Sequence, residues 1–175
     1  MYSTTTNKYP RMLPRASAGM HPTSVGFICG TPMNAGHIEG NGEFFDAYVR
    51  KADEQVARVW EIVKYREEHF DEEWMVVVTT DHGRTENGYG HGSQSEREHT
   101  TWISTNVPVN AHFADRNLAI TDIAPSLSRY LGFEVPSDVL WEQDGIPFIG
   151  RTDICDLKTM PYDDTVTLSW RTYAE

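Results

Sequence analysis

A long amphipathic segment most constrains what this chain of 175 residues can fold into. From Glu43 to about Phe70, apolar side chains recur every three or four residues, and charged residues fill the positions between them. This spacing predicts one long helix with a single apolar stripe. The stripe comprises Phe45, Tyr48, Val49, Ala52, Val56, Val59, Trp60 and Val63, and the charged face comprises Asp53, Glu54, Arg58, Glu61 and Lys64.

Apolar runs on either side of this helix predict strands. Trp74–Thr80 (WMVVVTT) and Thr100–Thr105 (TTWIST) are continuous rather than alternating, which is typical of strands covered on both faces. Thr23–Cys29 (TSVGFIC) predicts a third short strand, closed by Gly30-Thr31-Pro32. A long helix between covered strands favours an α/β layer structure with a parallel sheet.

The C-terminal third predicts a second helix and a different kind of strand. Thr121–Leu131 (TDIAPSLSRYL) reads as a helix with Thr121 as its N-cap and Gly132 as its stop. Pro125 would then lie in the first turn, where a missing N–H costs little. After a mostly irregular stretch up to Gly150, Thr165–Trp170 (TVTLSW) alternates, as an antiparallel strand of a separate module would.

Three segments are therefore expected along the chain. These are a polar N-terminal segment (1–22), an α/β domain (23–150) and the start of a β-rich appended module (151–175). Three or four strands and two helices are few for a doubly wound domain. We therefore expect the chain to be part of a larger protein.

Composition excludes several classes of partner. The net charge of −11 argues against duplex nucleic acid or an anionic membrane surface as a general partner. No stretch of 18 apolar residues predicts a membrane span, and the N-terminal residues contain no apolar signal-peptide core. Cys29 and Cys155 have no metal-binding spacing and are expected to be buried free thiols.

A group of possible metal ligands directly follows the predicted strand at Trp74–Thr80. Asp81 and His82 come after VVVTT, and in open α/β sheets ligands bind at the carboxyl ends of the strands. Gly83 lets the backbone turn, and the polar, glycine-containing loop 84–90 could fold back to bring His91 alongside. Carboxylate and imidazole groups suit zinc and other transition metals. The alternative is that Asp81 only begins a turn and both histidines face solvent.

At these residues the sequence resembles a known family. TTDHGR (79–84), GHG (90–92) and SEREHTTWI (95–103) resemble motifs of the alkaline phosphatase superfamily, in its branch of type I phosphodiesterases and nucleotide pyrophosphatases. GHIEG, TDIAPSLSRYLG and DGIPFIG, in that order, extend the similarity over about residues 27–150. The resemblance implies an alkaline phosphatase-like α/β/α sandwich with a mostly parallel sheet.

The same resemblance implies a function and a ligand set. Family members are metal-dependent hydrolases of phosphoric esters that hold two divalent metal ions, usually zinc, and act on anionic phosphate esters. By resemblance, Asp81 and His82 would bind one ion, and His37 and His91 the other. Relatives with a similar end and a trailing β-module are exported bacterial proteins, which implies a periplasmic or secreted location.

Two departures from the family pattern shape the expected activity. The family nucleophile, a Thr or Ser at a helix N-terminus, lies far upstream of the GH motif, and only 36 residues precede His37. The family also places a ligating Asp four residues before this histidine, where the chain has Met33, followed by Asn34. We therefore expect a hydrolase fragment that is inactive alone. The alternatives are a degenerate, non-catalytic binding domain of the same fold, or a sulfatase or phosphomutase, whose own features are not visible.

The remaining polar residues of interest have weaker assignments. Glu96, Arg97 and Glu98 either form a solvated charged loop or include a carboxylate that orients His91. Asp53, in the middle of the long helix, is expected to face solvent or to make a structural hydrogen bond. His99 has no assigned role, and the surface histidines are expected to be His21, His69 and His112.

Overall fold

The structure, a computed structural model, describes residues 24–28, 30–115 and 118–173, and it is mixed α/β. The described elements, in chain order, are α1 (Thr31–Glu39), α2 (Glu43–Phe70), β1 (Val77–Thr79), α3 (Glu96–His99), β2 (Ile103–Thr105), α4 (Ala111–Ala114), a 3₁₀ turn (Ile120–Asp122), α5 (Ile123–Tyr130), α6 (Ser137–Glu142), β3 (Ile154–Tyr162) and β4 (Thr165–Thr172). They belong to two compact units, of which the first ends at Thr105 and the second begins at Asn106.

Helix α2 confirms the prediction for the long amphipathic segment. The predicted stripe is its less exposed face, buried at Val63 and half-buried at most other positions, whereas the predicted charged face is exposed throughout. Helix α1 packs against α2 and was not predicted, because its sequence TPMNAGHIE has no apolar stripe. No helix within the described ranges is both long enough and apolar enough to cross a bilayer.

Strands β1 and β2 lie inside the two predicted runs but pair antiparallel. Val77 faces Thr105, and Thr79 faces Ile103. Both sheets found in the described part of the chain are two-stranded and antiparallel, so the expected parallel pairing is not seen there. A continuous apolar run shows that a strand is covered, but it does not encode the direction of the neighbouring strand.

The predicted strand at Thr23–Cys29 is wrong for the residues that the structure describes. Residues 24–28 have no regular structure, and Ile28 is 98% exposed. Thr23 and Cys29 lie outside the described residues, as does the predicted N-terminal segment 1–22. A short apolar run becomes a strand only where another strand offers hydrogen-bonding partners, and no described strand pairs with this one.

The second predicted helix is confirmed, with a different beginning. Helix α5 ends where expected, and Gly132 follows it with φ 68°. Pro125 is in the first turn, as predicted. The N-cap prediction is wrong, because Thr121 lies inside a 3₁₀ turn that leads into α5 at Asp122. Helix α6 occupies part of the stretch predicted to be mostly irregular.

A β-hairpin ends the described chain. Strand β4 confirms the alternating strand predicted at Thr165–Trp170 and continues to Thr172. It pairs antiparallel with β3, for example at Tyr162 and Thr165 next to the turn. The boundary predicted after residue 150 stays a prediction.

The core of the second unit contains polar groups, and here the prediction for His112 is wrong. His112 is only 1% exposed. Its Nε2 lies 2.9 Å from Asp122 Oδ2, and its Nδ1 lies 3.0 Å from the Tyr173 hydroxyl. An imidazole can be buried in this way because both ring nitrogens have partners. Cys155 is a buried free thiol, as predicted.

Candidate metal centre

Asp81 and His82 lie just beyond the carboxyl end of β1, where the sequence predicts them. The Oδ2 of Asp81 is 3.6 Å from the Nε2 of His82, and its Oδ1 accepts a hydrogen bond of 3.1 Å from the His82 amide. The Asp81 side chain is 82% exposed and that of His82 31%. The two ligand types therefore stand side by side and open to solvent.

The loop after this pair folds back, as predicted, and brings His91 to it. Thr85 fixes the return, because its amide donates to the Gly90 carbonyl at 2.9 Å and its carbonyl accepts from the Gly88 amide at 2.8 Å. The His91 ring stacks on the His82 ring, with centroids 4.0 Å apart and an interplanar angle of 28°.

His37 reaches the same place from helix α1. The centroids of the His37 and His91 rings are 5.1 Å apart. After α1, the chain turns at Gly40, which has φ 68°, and Asn41 then binds the folded-back loop. The Asn41 amide donates to the Asn87 carbonyl at 3.1 Å. All four residues predicted as metal ligands are thus brought together from three separate segments.

Two of the three histidines have hydrogen bonds that leave one ring nitrogen free to bind a metal. The Nδ1 of His37 is 2.7 Å from the Tyr89 carbonyl, and the Nδ1 of His82 is 2.7 Å from the Gly83 carbonyl. Because a carbonyl only accepts, Nδ1 holds the proton in the neutral form of each ring, and Nε2 then carries the lone pair. A metal-binding histidine typically donates its other N–H to a carbonyl or carboxylate in this way.

The third histidine is kept neutral by its surroundings. Desolvation lowers the pKa of His91 below its ordinary value of 6.5, and the neighbouring His82, His37 and Arg84 lower it further, while Asp81 opposes them. A neutral imidazole is the form that binds a metal ion. His91 therefore has the protonation state that a ligand needs at neutral pH.

The chemistry of this donor set fits zinc, whereas the arrangement of the rings is not that of a coordinated ion. Three imidazoles and one carboxylate suit zinc and similar divalent metals. Within the described ranges, however, no three His, Cys, Asp or Glu side chains form a group that could hold a metal ion. Rings stacked like those of His82 and His91 do not point their nitrogens at a common atom, so binding requires at least one of them to turn. The pairing of ligands with individual ions stays a prediction.

Position 83, in the DHG motif, requires glycine because the SEREHTT segment (95–101) packs against it. A Cβ on Gly83 would overlap the Arg97 carbonyl, and the Gly83 amide donates to the Glu98 carbonyl at 2.8 Å. Only a residue without a side chain allows this approach. Two of the motifs that carry the resemblance are thus joined by direct backbone contact.

Glu98 fits neither alternative considered from the sequence. It is 4% exposed, so it is not part of a solvated loop. Its carboxylate accepts hydrogen bonds from the Ser95 hydroxyl and, at 3.0 Å, from the Ser93 amide, rather than orienting His91. Glu98 therefore stabilises the loop on which Gly83 packs. Asp53 and His69 are exposed, as expected. His99, which had no assigned role, is exposed as well, and His21 lies outside the described residues.

Replacing Glu98 by Gln is expected to flatten the acid dependence of stability. Hydrogen bonds from Ser95 and Ser93 lower the pKa of Glu98 below its ordinary 4.5. A carboxyl group whose pKa is lower in the folded state stabilises the protein above its unfolded-state pKa, and this contribution is lost as the pH falls through the folded-state value. Urea unfolding at pH values from 6 down to 3 should show a smaller loss for Glu98→Gln than for the parent.

Glu61→Gln is the matched control, because Glu61 lies on the exposed face of α2. Its pH profile should follow that of the parent. An unchanged profile for Glu98→Gln would show that the buried carboxylate contributes nothing to acid stability.

Arg84 is a residue of the site that sequence reasoning did not assign. Its Nε donates to the Gly88 carbonyl at 2.7 Å, and its guanidinium occupies the space that a Cβ on Gly36 would need. The sequence did contain a signal for it, because Gly36 directly precedes His37 in the GH motif and Arg84 directly follows DHG. A neighbouring cavity of about 600 Å³ is lined by Arg84 and Arg97 among others and includes none of the histidines.

Comparison of the chain with known proteins found no matching family model, no matching curated protein and no matching solved structure.

Proposed function

We propose that this chain contributes the divalent metal site of a phosphoric ester hydrolase, in an alkaline phosphatase-like domain whose sheet is mostly parallel. The observation that supports the proposal is the meeting of His37, Asp81, His82 and His91 at the end of β1. These residues come from three segments up to 54 positions apart, and each was a candidate ligand on sequence grounds.

The residues of the chain have distinct parts in this proposal. In the neutral form of His37 and of His82, Nε2 carries the lone pair, because each Nδ1 donates to a backbone carbonyl. The pKa of His91 is lowered by its surroundings, which favours the neutral, metal-binding form, and Asp81 supplies negative charge. A pair of zinc ions, when bound, would neutralise a phosphate ester and activate a nucleophile supplied from elsewhere.

Charge supports the need for a cation at this place. The chain carries a net charge of −11, so a small anionic substrate is repelled by the protein as a whole. A divalent ion reverses the local field at the end of β1. Small anionic phosphate esters are therefore the proposed substrate class.

One observation favours a second candidate, a non-catalytic binding domain of the same fold. Met33 lies one helical turn before His37 on α1, where the resemblance calls for an aspartate. A thioether is soft and uncharged and is a poor substitute for a carboxylate on zinc. A site that lacks this ligand would hold metal weakly.

Zinc binding by the 175-residue chain tests the common basis of both candidates. Competition against a chromophoric chelator should show zinc binding by the parent chain, and His82→Ala and His91→Ala should each weaken it. His69→Ala is the matched control, since His69 is exposed on α2 and bonds the Tyr65 carbonyl. Equal affinities in all four proteins would rule out the proposed centre.

Phosphate binding separates an ester hydrolase site from a bare metal site. Inorganic phosphate, added to the zinc-loaded chain in a calorimeter, should bind with an affinity that disappears in His91→Ala. Zinc binding without any phosphate binding would contradict the hydrolase proposal. It would leave the binding domain as the better account.

A further inference from the structure

The guanidinium of Arg84 lies where the segments that carry the histidines meet. Its Nε donates to the Gly88 carbonyl at 2.7 Å, in the loop that leads to His91. Its Nη1 is 3.5 Å from the Met33 carbonyl, in the helix that carries His37. One planar group thus connects two of the three segments of the centre by hydrogen bonds, while its own backbone belongs to the third.

The sequence around this group is shaped to admit it. Gly36 is buried, and a Cβ there would overlap the guanidinium of Arg84. The ring of Phe45, on α2, lies 5.7 Å from the guanidinium carbon, which is cation–π distance. Arg84 therefore requires a glycine at position 36, which lies 48 positions earlier in the chain.

The side chain of Arg84 is half-buried and lines the neighbouring cavity, but the end of its guanidinium is enclosed, which favours a positioning role over contact with a substrate. Its Nη2 is buried, with no hydrogen-bond partner found among the described residues. Nη2 is therefore closed to an anion that arrives from solvent, and the other two nitrogens, Nε and Nη1, already donate to the Gly88 and Met33 carbonyls. Lysine would not replace the arginine, because a single ammonium lacks the planar fork that reaches two carbonyls at once.

We propose that Arg84 is a positioning residue that sets the spacing between the His37 and His91 rings. The importance of that spacing for metal binding rests on the proposed function, whereas the spacing itself does not. Arg84 pins the start of α1 to the folded-back loop, and each histidine follows its own segment. Without the guanidinium, the two rings separate and the centre loses its shape.

A metal-free measurement tests the spacing directly. In the parent chain, the His37 and His91 rings are close enough for a nuclear Overhauser effect between their protons, given centroids 5.1 Å apart. Arg84→Met keeps much of the side-chain volume and removes the donors, so this signal should disappear. Arg58→Met is the matched control, since Arg58 is exposed on α2 and donates within its own helix, to the Glu54 carbonyl. An unchanged signal in a folded Arg84→Met protein would overturn the proposal, as would its absence from the parent.

Zinc affinity provides the second readout. If the parent binds zinc, Arg84→Met and Arg84→Lys should bind it about 10–100-fold more weakly, the usual effect of losing a group that orients metal ligands. The visible absorption spectrum of Co²⁺, bound in place of zinc, should change as well. A purely structural arginine would lower the thermal midpoint and leave both properties as they are. If the parent binds no zinc, the proposed function fails, and the ring-to-ring signal alone decides the role of Arg84.

Gly36→Ala keeps the proposal testable if the arginine variants do not fold. The added methyl displaces the guanidinium, so this variant should also lose the ring-to-ring signal. A folded Gly36→Ala protein with the signal of the parent would count against the proposal.

Discussion

Replacing Asp122 by alanine is expected to lower the free energy of unfolding by about 3–5 kcal/mol, because removing a buried carboxylate leaves its three hydrogen-bond donors without an acceptor. Asp122 is 3% exposed. Its Oδ2 accepts from His112 and from the Ala119 amide, each at 2.9 Å, and its Oδ1 accepts from the Ile146 amide at 2.7 Å. Removing the carboxylate takes away the acceptor of all three donors at once.

The position of Asp122 explains why the loss is large. Its contacts join helix α4, the residue before the 3₁₀ turn and the DGIPFIG segment (144–150). The Ser126 hydroxyl continues the network, since it donates to the Asp122 carbonyl at 2.7 Å and accepts from the Phe148 amide at 2.9 Å. A loss of this size is a large share of the stability of an ordinary domain, about 5–15 kcal/mol.

Urea unfolding followed by circular dichroism measures this effect. Asp144→Ala is the matched control, because Asp144 is exposed two residues before Ile146, and a surface change of this kind is expected within about 0.5 kcal/mol of the parent. A change below about 1 kcal/mol for Asp122→Ala would mean that the buried hydrogen bonds do not hold the unit together.

Replacing Met33 by aspartate is expected to strengthen zinc binding by about 100-fold. Losing a group that only orients a metal ligand weakens binding by about 10–100-fold, and a carboxylate that binds the ion itself should have an effect at the upper end of this range. Met33 is 43% exposed on α1, four residues before His37, so the two side chains share a helix face. The new carboxylate would supply the third protein ligand that catalytic zinc sites usually have.

Asn34→Asp is the matched control for this change. It adds the same charge one residue further along α1, where the side chain is also exposed but lies on a different helix face. Competition against a chelator should show a large gain for Met33→Asp and a small one for Asn34→Asp. Equal gains would reduce the effect to charge alone, and no gain in either variant would contradict the assignment of this helix face to the metal site.

The same substitution also separates the two candidate functions. If Met33→Asp restores tight zinc binding to a chain that binds it weakly, the native site has lost a ligand, and the non-catalytic candidate gains support. If the parent already binds zinc tightly and the change adds nothing, Met33 is not the missing ligand. The hydrolase proposal then stands without it.

Several elements were predictable because their residues are patterned locally. The apolar stripe of α2 repeats over 28 residues, so its bounds were predicted as they are found. Gly132 and Pro125 fix the end and the first turn of α5 through their own backbone preferences. Helix α1 and the burial of His112 were missed, because each depends on packing against another segment: α2 for the first, and Asp122 and Tyr173 for the second.

The candidate site shows the same division. The kinds of ligand, their glycines and their placement after a strand could be predicted from the order of residues 79–92. The direction of β2, the stacking of His82 on His91 and the burial of Glu98 could not, because each depends on which segment packs where.

The sequence by itself thus determined the long helix, the positions of strands β1, β2 and β4, and the identity of four candidate ligands. Only the tertiary structure decided that these four meet, and that Arg84, wedged against Gly36, lies between their segments. The physical reason is one of range. Side-chain period and backbone preference act within a few residues, whereas a hydrogen bond or a steric contact between residues 48 positions apart exists only once the chain has folded.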